Sequence, residues 1–479
     1  MDADRRCGDL GPRSLPLHRR PAERHDHLGG RENLQHRSGG SDWQASGGVG
    51  MCRDWSARRA VGRVGEGLCR AQTRPEGHRG GHPRRRAQAP GLISKTTLGG
   101  VHCRVAESAH GQAAQTSAAR SLLGGQGHPM KTPGVFIGAT GTYLPDRVSI
   151  EWAVAQGHLD KAVADRYGIR SVPLAGDLPA PEMALRASRQ AMQRGDQDPA
   201  TLSLLLYVST WYQGPHGWCP QYYVQRHTHA GQATAAEIRQ GCMGMFSACE
   251  LAAAHLIASP EHTAALITSG DNYNSPMLDR WRSSPHSPLG DGACALLLTR
   301  RPGFARLESI NARTLPQYEG RHRGSAPLFP PEASLGTKVD FATAKKQWFS
   351  ATAVDPRELE TTMARTLLEV VHTTLREADL EMSQITRIAF ANWSEERVRE
   401  RAAVPLGLPM SRLTWEYGRT IGHVGASDQV LSLDHLLVSG ELNTGDNLLL
   451  LGTGPGANIA CMAVRILHRP PWTEIEDAR

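Results

Sequence analysis

Aromatic side chains are scarce in this chain of 479 residues, where they make up 5% of the sequence, and the shortage is uneven. Residues 1–129 contain Trp43 and Trp55 but no phenylalanine or tyrosine, and 22 of these residues are glycine. Too few large apolar side chains are present to offset the roughly 1–2 kcal/mol per residue that ordering a backbone costs. We therefore expect residues 1–129 to be a disordered Arg/Gly-rich extension without a core.

Lysine is almost absent from the same segment, which has one lysine, 20 arginines and 11 acidic residues, and so a net charge of +10. The whole chain carries +7, so residues 130–479 carry −3 and give no reason to expect a nucleic-acid partner. The extension is open to two interpretations: a basic tail that binds nucleic acid, or an overextended reading frame of high-GC codons. The ratio of arginine to lysine favours the second, with Met130 as the start.

Long apolar runs and paired cysteines are also missing. No run approaches the 18 or more apolar residues of a membrane span, and no apolar stretch of signal-peptide length follows a basic start. Five of the nine cysteines lie within residues 130–479, an odd number, and none forms a Cys-x-x-Cys pair. The sequence therefore predicts a cytoplasmic protein with reduced thiols and no membrane segment.

Short apolar runs alternate with amphipathic stretches from residue 130 onward, a pattern typical of an α/β fold. The run at residues 202–209 predicts a buried strand, and residues 180–194 have apolar side chains at helical spacing. A second helix followed by a strand repeats this order at residues 358–390. We therefore expect two similar α/β halves, at residues 130–302 and 303–479.

One cysteine lies where a glycine-containing turn passes into an alanine-rich helix. Gly241 and Gly244 flank this residue, Cys242, and leave room for a close approach of substrate. A helix N-terminus offers free N–H groups and a positive partial charge, which both stabilise a thiolate. Cys242 is therefore a candidate nucleophile, and the alternative is a small buried cysteine that fills a contact between a helix and a strand.

Three glycine-rich motifs follow in order along residues 130–479. They are Gly-Cys-Met-Gly at residues 241–244, Gly-Asp-Gly-Ala-Cys-Ala at 290–295 and Gly-Thr-Gly-Pro-Gly-Ala-Asn at 452–458. Together they resemble the ketoacyl-ACP synthase III family, which has the thiolase fold. The resemblance implies two pseudo-symmetric α/β halves in an α-β-α-β-α layered arrangement, a cysteine acylated from a thioester, and a homodimer.

The resemblance also implies a histidine and an asparagine beside the cysteine, and here the two are exchanged. Residues 392–398 correspond to the family's His-Gln-Ala-Asn-x-Arg-Ile segment, so Asn392 replaces the histidine. Residues 422–428 correspond to its Gly-Asn-Thr-Ser-Ala-Ala-Ser segment, so His423 replaces the asparagine. An alternative register needs a four-residue insertion and offers only Arg419.

This exchange changes which reaction the side chains beside the cysteine can support. Condensation with malonyl thioesters needs two neutral donors on the malonyl carbonyl, whereas transfer to an alcohol or amine needs a base with an orienting carboxylate behind it. His423 and Asp428 offer that pair, and Asn392 offers an amide that donates to the thioester. The pattern resembles the acyltransferase branch of the family found in antibiotic pathways. Alternatively, His423 is a loop histidine bound to backbone groups and Asp428 is a helix cap.

The glycine-rich turn at residues 452–458 is the candidate oxyanion site, because backbone N–H groups there can bind the thioester oxygen. Pro455 cannot donate, so the hole is expected to combine the Cys242 N–H with that of Gly454 or Gly456.

A group of aromatic residues in the first half is a candidate wall for a planar acyl group, or alternatively part of a dimer interface: Trp211, Tyr212 and Trp218. A metal site is not expected, because the nearby ligand types fit no standard zinc spacing: His216, Cys219, His227 and His229.

The sequence thus predicts a cysteine-dependent acyltransferase without a cofactor. Its expected partners are an acyl carrier protein or coenzyme A thioester as donor and a small molecule as acceptor, in specialised metabolism. One alternative is a condensing 3-oxoacyl-ACP synthase of the same fold. Another is a non-catalytic partner that keeps the fold for dimerisation, although the flanked cysteine argues against it.

Overall fold

The computed structural model describes residues 130–473, so the extension predicted at residues 1–129 lies outside the described residues. The strands are, in chain order: β1 Met130–Lys131, β2 Phe136–Tyr143, β3 Arg147–Ser149, β4 Ser171–Pro173, β5 Leu202–Ser209, β6 Thr234–Arg239, β7 Ala264–Asp271, β8 Gly292–Thr299, β9 Ala305–Thr314, β10 Ile385–Ala389, β11 Asn447–Gly454 and β12 Asn458–Ile466. The longer helices are α1 Ile150–Ala155, α2 Lys161–Tyr167, α3 Ala180–Arg194, α4 Pro220–Thr228, α5 Gly244–Ala258, α6 Phe341–Ala351, α7 Pro356–Glu377 and α8 Asp428–Val438.

Most strands pair in one sheet, in the order β10-β11-β12-β9-β2-β8-β7-β5-β6, with β1 beside β9 and with β3 and β4 in a separate ribbon. The sequence of antiparallel and parallel strand pairs is the same on either side of the junction between β2 and β9. On one side β2–β8 and β8–β7 are antiparallel and β7–β5 is parallel. On the other, β9–β12 and β12–β11 are antiparallel and β11–β10 is parallel. This repeat confirms the two pseudo-symmetric α/β halves.

Helices α5 and α8 lie between the two halves, because each contacts strands of both. Helix α5 packs on β5, β7 and β8 and also on β9 and β12, while α8 packs on β2 and β8 and also on β10 and β11. Helix α3 covers strands β2, β7 and β8 of the first half, and α7 covers β9 and β12 of the second. The order of layers is therefore α-β-α-β-α, the thiolase-like arrangement that the sequence predicts.

The sequence showed no apolar run as long as a membrane span, but the segment that contains the central helix α5 reaches that length. Within residues 130–473, the segment Gly241–Ala258 is long and apolar enough to cross a membrane by length and composition, although half of it is buried inside the protein. A helix that is apolar all round is equally suited to the centre of a layered fold. Ala248, Cys249 and Ala252 have no exposed surface and belong to the main core, so the packing accounts for this composition.

Periodicity located several core strands and helices but not the ribbon of β3 and β4 or the edge strand β6. The strand at Leu202–Ser209 and the helix at Ala180–Arg194 have the predicted bounds. The edge strand Thr234–Arg239 was not predicted, because none of its side chains is fully buried and it lacks an apolar run. Strand β9 begins at Ala305, and we propose the boundary between the halves just before it, at residues 302 and 303.

Candidate active site

Cys242 lies in the 3-10 turn Gly241–Met243 that joins the edge strand β6 to the central helix α5. Gly241 has a φ of +58°, and a Cβ there would lie 3.0 Å from Pro455 Cγ. Only glycine combines this left-handed backbone with so close a neighbour. The turn thereby holds Cys242, which is half-buried, at the mouth of a cavity.

The side chains of Cys242, His423 and Asp428 form a continuous chain of contacts. Cys242 Sγ lies 2.9 Å from His423 Nε2, and His423 Nδ1 lies 2.6 Å from Asp428 Oδ2. The carboxylate also accepts the backbone N–H groups of Val424 and Asn392, each at 2.7 Å. These contacts fix the imidazole with Nδ1–H towards the carboxylate and Nε2 towards sulfur, the orientation that a base next to a nucleophile needs.

Burial and charge act in opposite directions on His423. Burial opposes the charged imidazolium, but the adjacent Cys242 sulfur and the Asp428 carboxylate outweigh it and hold the pKa of His423 well above its usual value. His423 is 5% exposed and Asp428 is fully buried. The contacts with the Cys242 sulfur and the Asp428 carboxylate therefore favour the protonated imidazole of His423.

Asn392 contacts the site through its backbone rather than its side chain. Its side chain is 2% exposed and faces Gly418, where an added Cβ would lie 2.4 Å from Asn392 Oδ1, and it does not line the cavity. Its expected role towards the thioester stays a prediction, and its observed contact is the N–H bond to Asp428. Arg419, the residue of the alternative register, lies away from the cavity, over the ring of Trp415.

The cavity beside Cys242 has a volume of about 580 Å³, and the β11–β12 turn forms part of its wall. Gly454, Pro455 and Gly456 all line it together with the cysteine. A Cβ on Gly454 would lie 2.5 Å from Met243 Cγ, so the turn can approach the cysteine loop only without a side chain at this position. The use of Gly454 or Gly456 as an oxyanion donor stays a prediction.

The structure separates the three aromatic residues predicted to form one wall. Trp211 lines the cavity beside Cys242. Tyr212 and Trp218 instead line a neighbouring surface pocket of about 480 Å³ and are 56% and 39% exposed. The structure thus does not bring these two residues to the cavity that Trp211 lines. The backbone N–H of Trp211 donates to Asp271 Oδ1 at 2.8 Å, which fixes the backbone at this position, whereas Tyr212 is exposed.

Sequence reasoning missed a buried polar group beside the histidine. Asp271 is fully buried, and burial raises its pKa to about 6 although the backbone N–H groups of Trp211 and Thr210 oppose this. Tyr273 lines the cavity, and its hydroxyl lies close to the position that a Cβ on Gly425 would take, as does Asp271 Oδ2. Gly425 has a φ of +61°, so glycine is needed there both for backbone and for space. No local motif marks these residues.

Among residues 130–473, no group of three or more histidine, cysteine or acidic side chains is placed to hold a metal ion. The remaining cysteines of this part do not contact His423. Cys249 is fully buried, and burial with the nearby Cys294 raises the pKa of its thiol far above the usual range.

The fold is thiolase-like, and a cysteine in contact with a histidine lines its cavity. The sequence pattern of 3-oxoacyl-[acyl-carrier-protein (ACP)] synthase III matches residues 236–314, and that of its C-terminal part matches residues 375–466. A solved structure of ChlB3, an acyltransferase, is 46% identical and covers 71% of this chain and 99% of its own length, with a TM-score of 0.68.

More distant relatives agree. The beta-ketoacyl-ACP synthase III of Lactobacillus helveticus is 24% identical over 343 residues, which are 70% of this chain and all of the relative. The 3-oxoacyl-ACP synthase III structure from Aquifex aeolicus is 19% identical, covers 69% of this chain and 99% of its own, and has a TM-score of 0.57. The chain belongs to the 3-oxoacyl-ACP synthase III family. Enzymes of this family transfer or condense acyl groups, with acyl-ACP or acyl-CoA as donors.

Replacing Asp428 by asparagine tests the electrostatic coupling. Without the carboxylate, His423 loses a group that raises its pKa, so a protonated partner for the thiolate is less available. We expect the midpoint of the pH profile for Cys242 alkylation by iodoacetamide to rise by roughly one pH unit. The measurement is the mass of the Cys242 peptide against time at each pH.

Asp434→Asn is the matched control, because Asp434 is a buried carboxylate on the same helix that binds Arg194 instead. An unchanged midpoint in Asp428→Asn, with the folded state intact by thermal unfolding, would contradict the coupling.

Proposed function

We propose that this protein is a cysteine-dependent acyltransferase, which moves an acyl group from an ACP or CoA thioester to a small-molecule acceptor in specialised metabolism. The observation that carries the proposal is the chain of contacts from Cys242 through His423 to Asp428. The 46% identity to the acyltransferase ChlB3 supports transfer over the condensation known for other relatives. A homodimer in the cytoplasm fits this proposal.

The first half-reaction loads the cysteine. The Cys242 thiolate attacks the thioester carbonyl, the new carbon–sulfur bond forms, and the bond to the donor's sulfur breaks. The leaving thiolate takes the proton from His423 Nε2, so acyl-Cys242 and a neutral imidazole result. Gly454 or Gly456, which line the cavity, are the proposed donors to the oxyanion.

The second half-reaction uses the neutral imidazole. Acylation removes the charge of the sulfur, one of the groups that raise the pKa of His423, while burial still lowers it. His423 therefore becomes able to take a proton from the acceptor's hydroxyl or amine as that group attacks the acyl carbon. The carbon–sulfur bond to Cys242 then breaks, and the thiolate and imidazolium are restored.

Condensation is disfavoured by the same geometry. It needs two neutral donors on the malonyl carbonyl, but Asn392 does not line the cavity and His423 is bound to a buried carboxylate. An imidazole held this way serves better as a base than as a neutral donor. A non-catalytic role is disfavoured because the cysteine, histidine and carboxylate keep hydrogen-bonding distances that dimerisation does not require.

Acyl loading tests the nucleophile. Intact-protein mass after incubation with a panel of acyl-CoA and acyl-ACP thioesters should rise by one acyl group, and Cys242→Ala should abolish the increase. Cys249→Ala is the control, because Cys249 is fully buried two turns further along the helix. Labelling that persists in Cys242→Ala, or is lost only in Cys249→Ala, would refute the assignment.

Acyl release tests the base. His423→Ala should still form acyl-Cys242 on long incubation, but release to alcohol, amine and coenzyme A acceptors should slow by about 10²–10⁴-fold, because nothing accepts the acceptor's proton. His372→Ala, on the exposed face of α7, should behave as the unmodified protein. Release that is equally fast in His423→Ala, measured from isolated acyl-enzyme, would assign the base elsewhere.

A further inference from the structure

The cavity beside Cys242 has one wall that is rich in positive charge. Arg321, Lys345 and Arg401 line it, well separated in sequence from the cysteine. Lys345 and Arg401 also line an adjoining cavity of about 590 Å³, together with Arg397. We call Arg321, Lys345, Arg397 and Arg401 the basic wall. None of these residues takes part in the acyl-transfer steps described above.

Only half of the basic wall has acidic partners. Arg401 Nη2 lies 2.6 Å from Glu360 Oε2, and Arg397 Nη1 lies 2.9 Å from Glu400 Oε2. Two acidic side chains therefore face the four basic ones, which leaves an excess of two positive charges within the basic wall.

Arg321 and Lys345 carry this excess. Neither makes an ion pair within residues 130–473, and Arg321 Nη1 is buried without a hydrogen-bond partner. Burial lowers the pKa of both side chains, as do the neighbouring arginines, and the carboxylate of Glu360 opposes this only in part. Burying several cations around too few carboxylates costs free energy, and an anionic ligand would offset that cost.

The positive charges of the basic wall lower the pKa values of two histidines that line the same cavity. Burial and the adjacent Arg321 and Lys345 lower the pKa of His322 to about 4. The pKa of His286 is also well below its usual value, because of burial and then the arginines and lysine of the basic wall. Both rings are neutral at physiological pH, and each has a buried Nδ1 without a partner. They can donate hydrogen bonds but add no charge.

We propose that the basic wall, through Arg321 and Lys345, binds an oxyanion of a molecule that reacts at Cys242, a phosphate or a carboxylate. The guanidinium binds such groups with two parallel hydrogen bonds, and the lysine adds a point charge. The inference rests on the proposed function, because it names the chemistry of its substrate. The anion has two possible sources: the phosphate of the donor's phosphopantetheine arm, or an anionic group of the acceptor.

Alkylation of Cys242 tests the wall without acyl transfer. Iodoacetate and iodoacetamide react at the same sulfur, but only iodoacetate is charged. The rate with iodoacetate divided by the rate with iodoacetamide therefore reports the electrostatic potential in the cavity. We expect this ratio to fall by about threefold or more in Lys345→Met and in Arg321→Met. Lys346→Met is the matched control: it removes the same charge from the same helix, but Lys346 is exposed and does not line the cavity.

Binding of the anion is measured with inorganic phosphate as the probe. Phosphate should slow iodoacetate alkylation of Cys242 in a saturable way, and Lys345→Met should weaken this protection while Lys346→Met should not. The proposal would be overturned if the ratio of alkylation rates and the protection by phosphate were the same in all variants. It would also be overturned if neither reagent alkylated Cys242. Thermal unfolding of each variant establishes that the folded state is retained.

The source of the anion follows from comparing phosphopantetheine with pantetheine. Stronger protection by the phosphorylated form, lost in Lys345→Met, assigns the site to the donor. Equal protection by the two forms, with phosphate still protective, assigns it to the acceptor. If no acyl-enzyme forms but the alkylation results hold, the proposed function fails and the anion site stands.

Discussion

The buried carboxylate of Asp428 is the group on which the site depends. It has no exposed surface and accepts three N–H groups, from the ring of His423 and from the backbones of Val424 and Asn392. A buried carboxylate is costly unless such donors surround it. Here the donors come from two loops of the second half, so satisfying the charge also fixes the loop that carries the histidine. The position of His423 against Cys242 follows from it.

The pseudo-symmetry of the fold explains why this arrangement is possible. The two central helices α5 and α8 come from different halves, with Cys242 just before the first residue of one and Asp428 as the first residue of the other. The N-terminus of a helix favours negative charge. The Cys242 sulfur and the Asp428 carboxylate thus lie at the two helix N-termini, and His423 contacts both of them.

Local patterns in the sequence were sufficient for parts of this site and not for others. Cys242 is recognisable because glycines and a small-residue helix surround it, and His423 because a family segment aligns there without a gap. The backbone role of Asn392 was not predictable, since side-chain chemistry does not reveal which N–H a carboxylate accepts. Trp211 and Tyr212 follow the end of β5 and line different pockets, which their adjacency in the sequence does not reveal.

The basic wall could not be predicted from a local pattern, because its members come from separate segments. Arg321 lies in a 3-10 turn, Lys345 on α6 and Arg401 in a π-helical turn, and only the tertiary fold brings them to one cavity.

The central claim is that the exchanged pair supports transfer and not condensation. The most direct measurement is release of carbon dioxide from carboxyl-labelled malonyl-ACP by the acyl-loaded protein. The account predicts release no faster than with Cys242→Ala, while acyl-Cys242 persists. Release at the rate of acyl-enzyme formation, with a new carbon–carbon bond in the product, would contradict it.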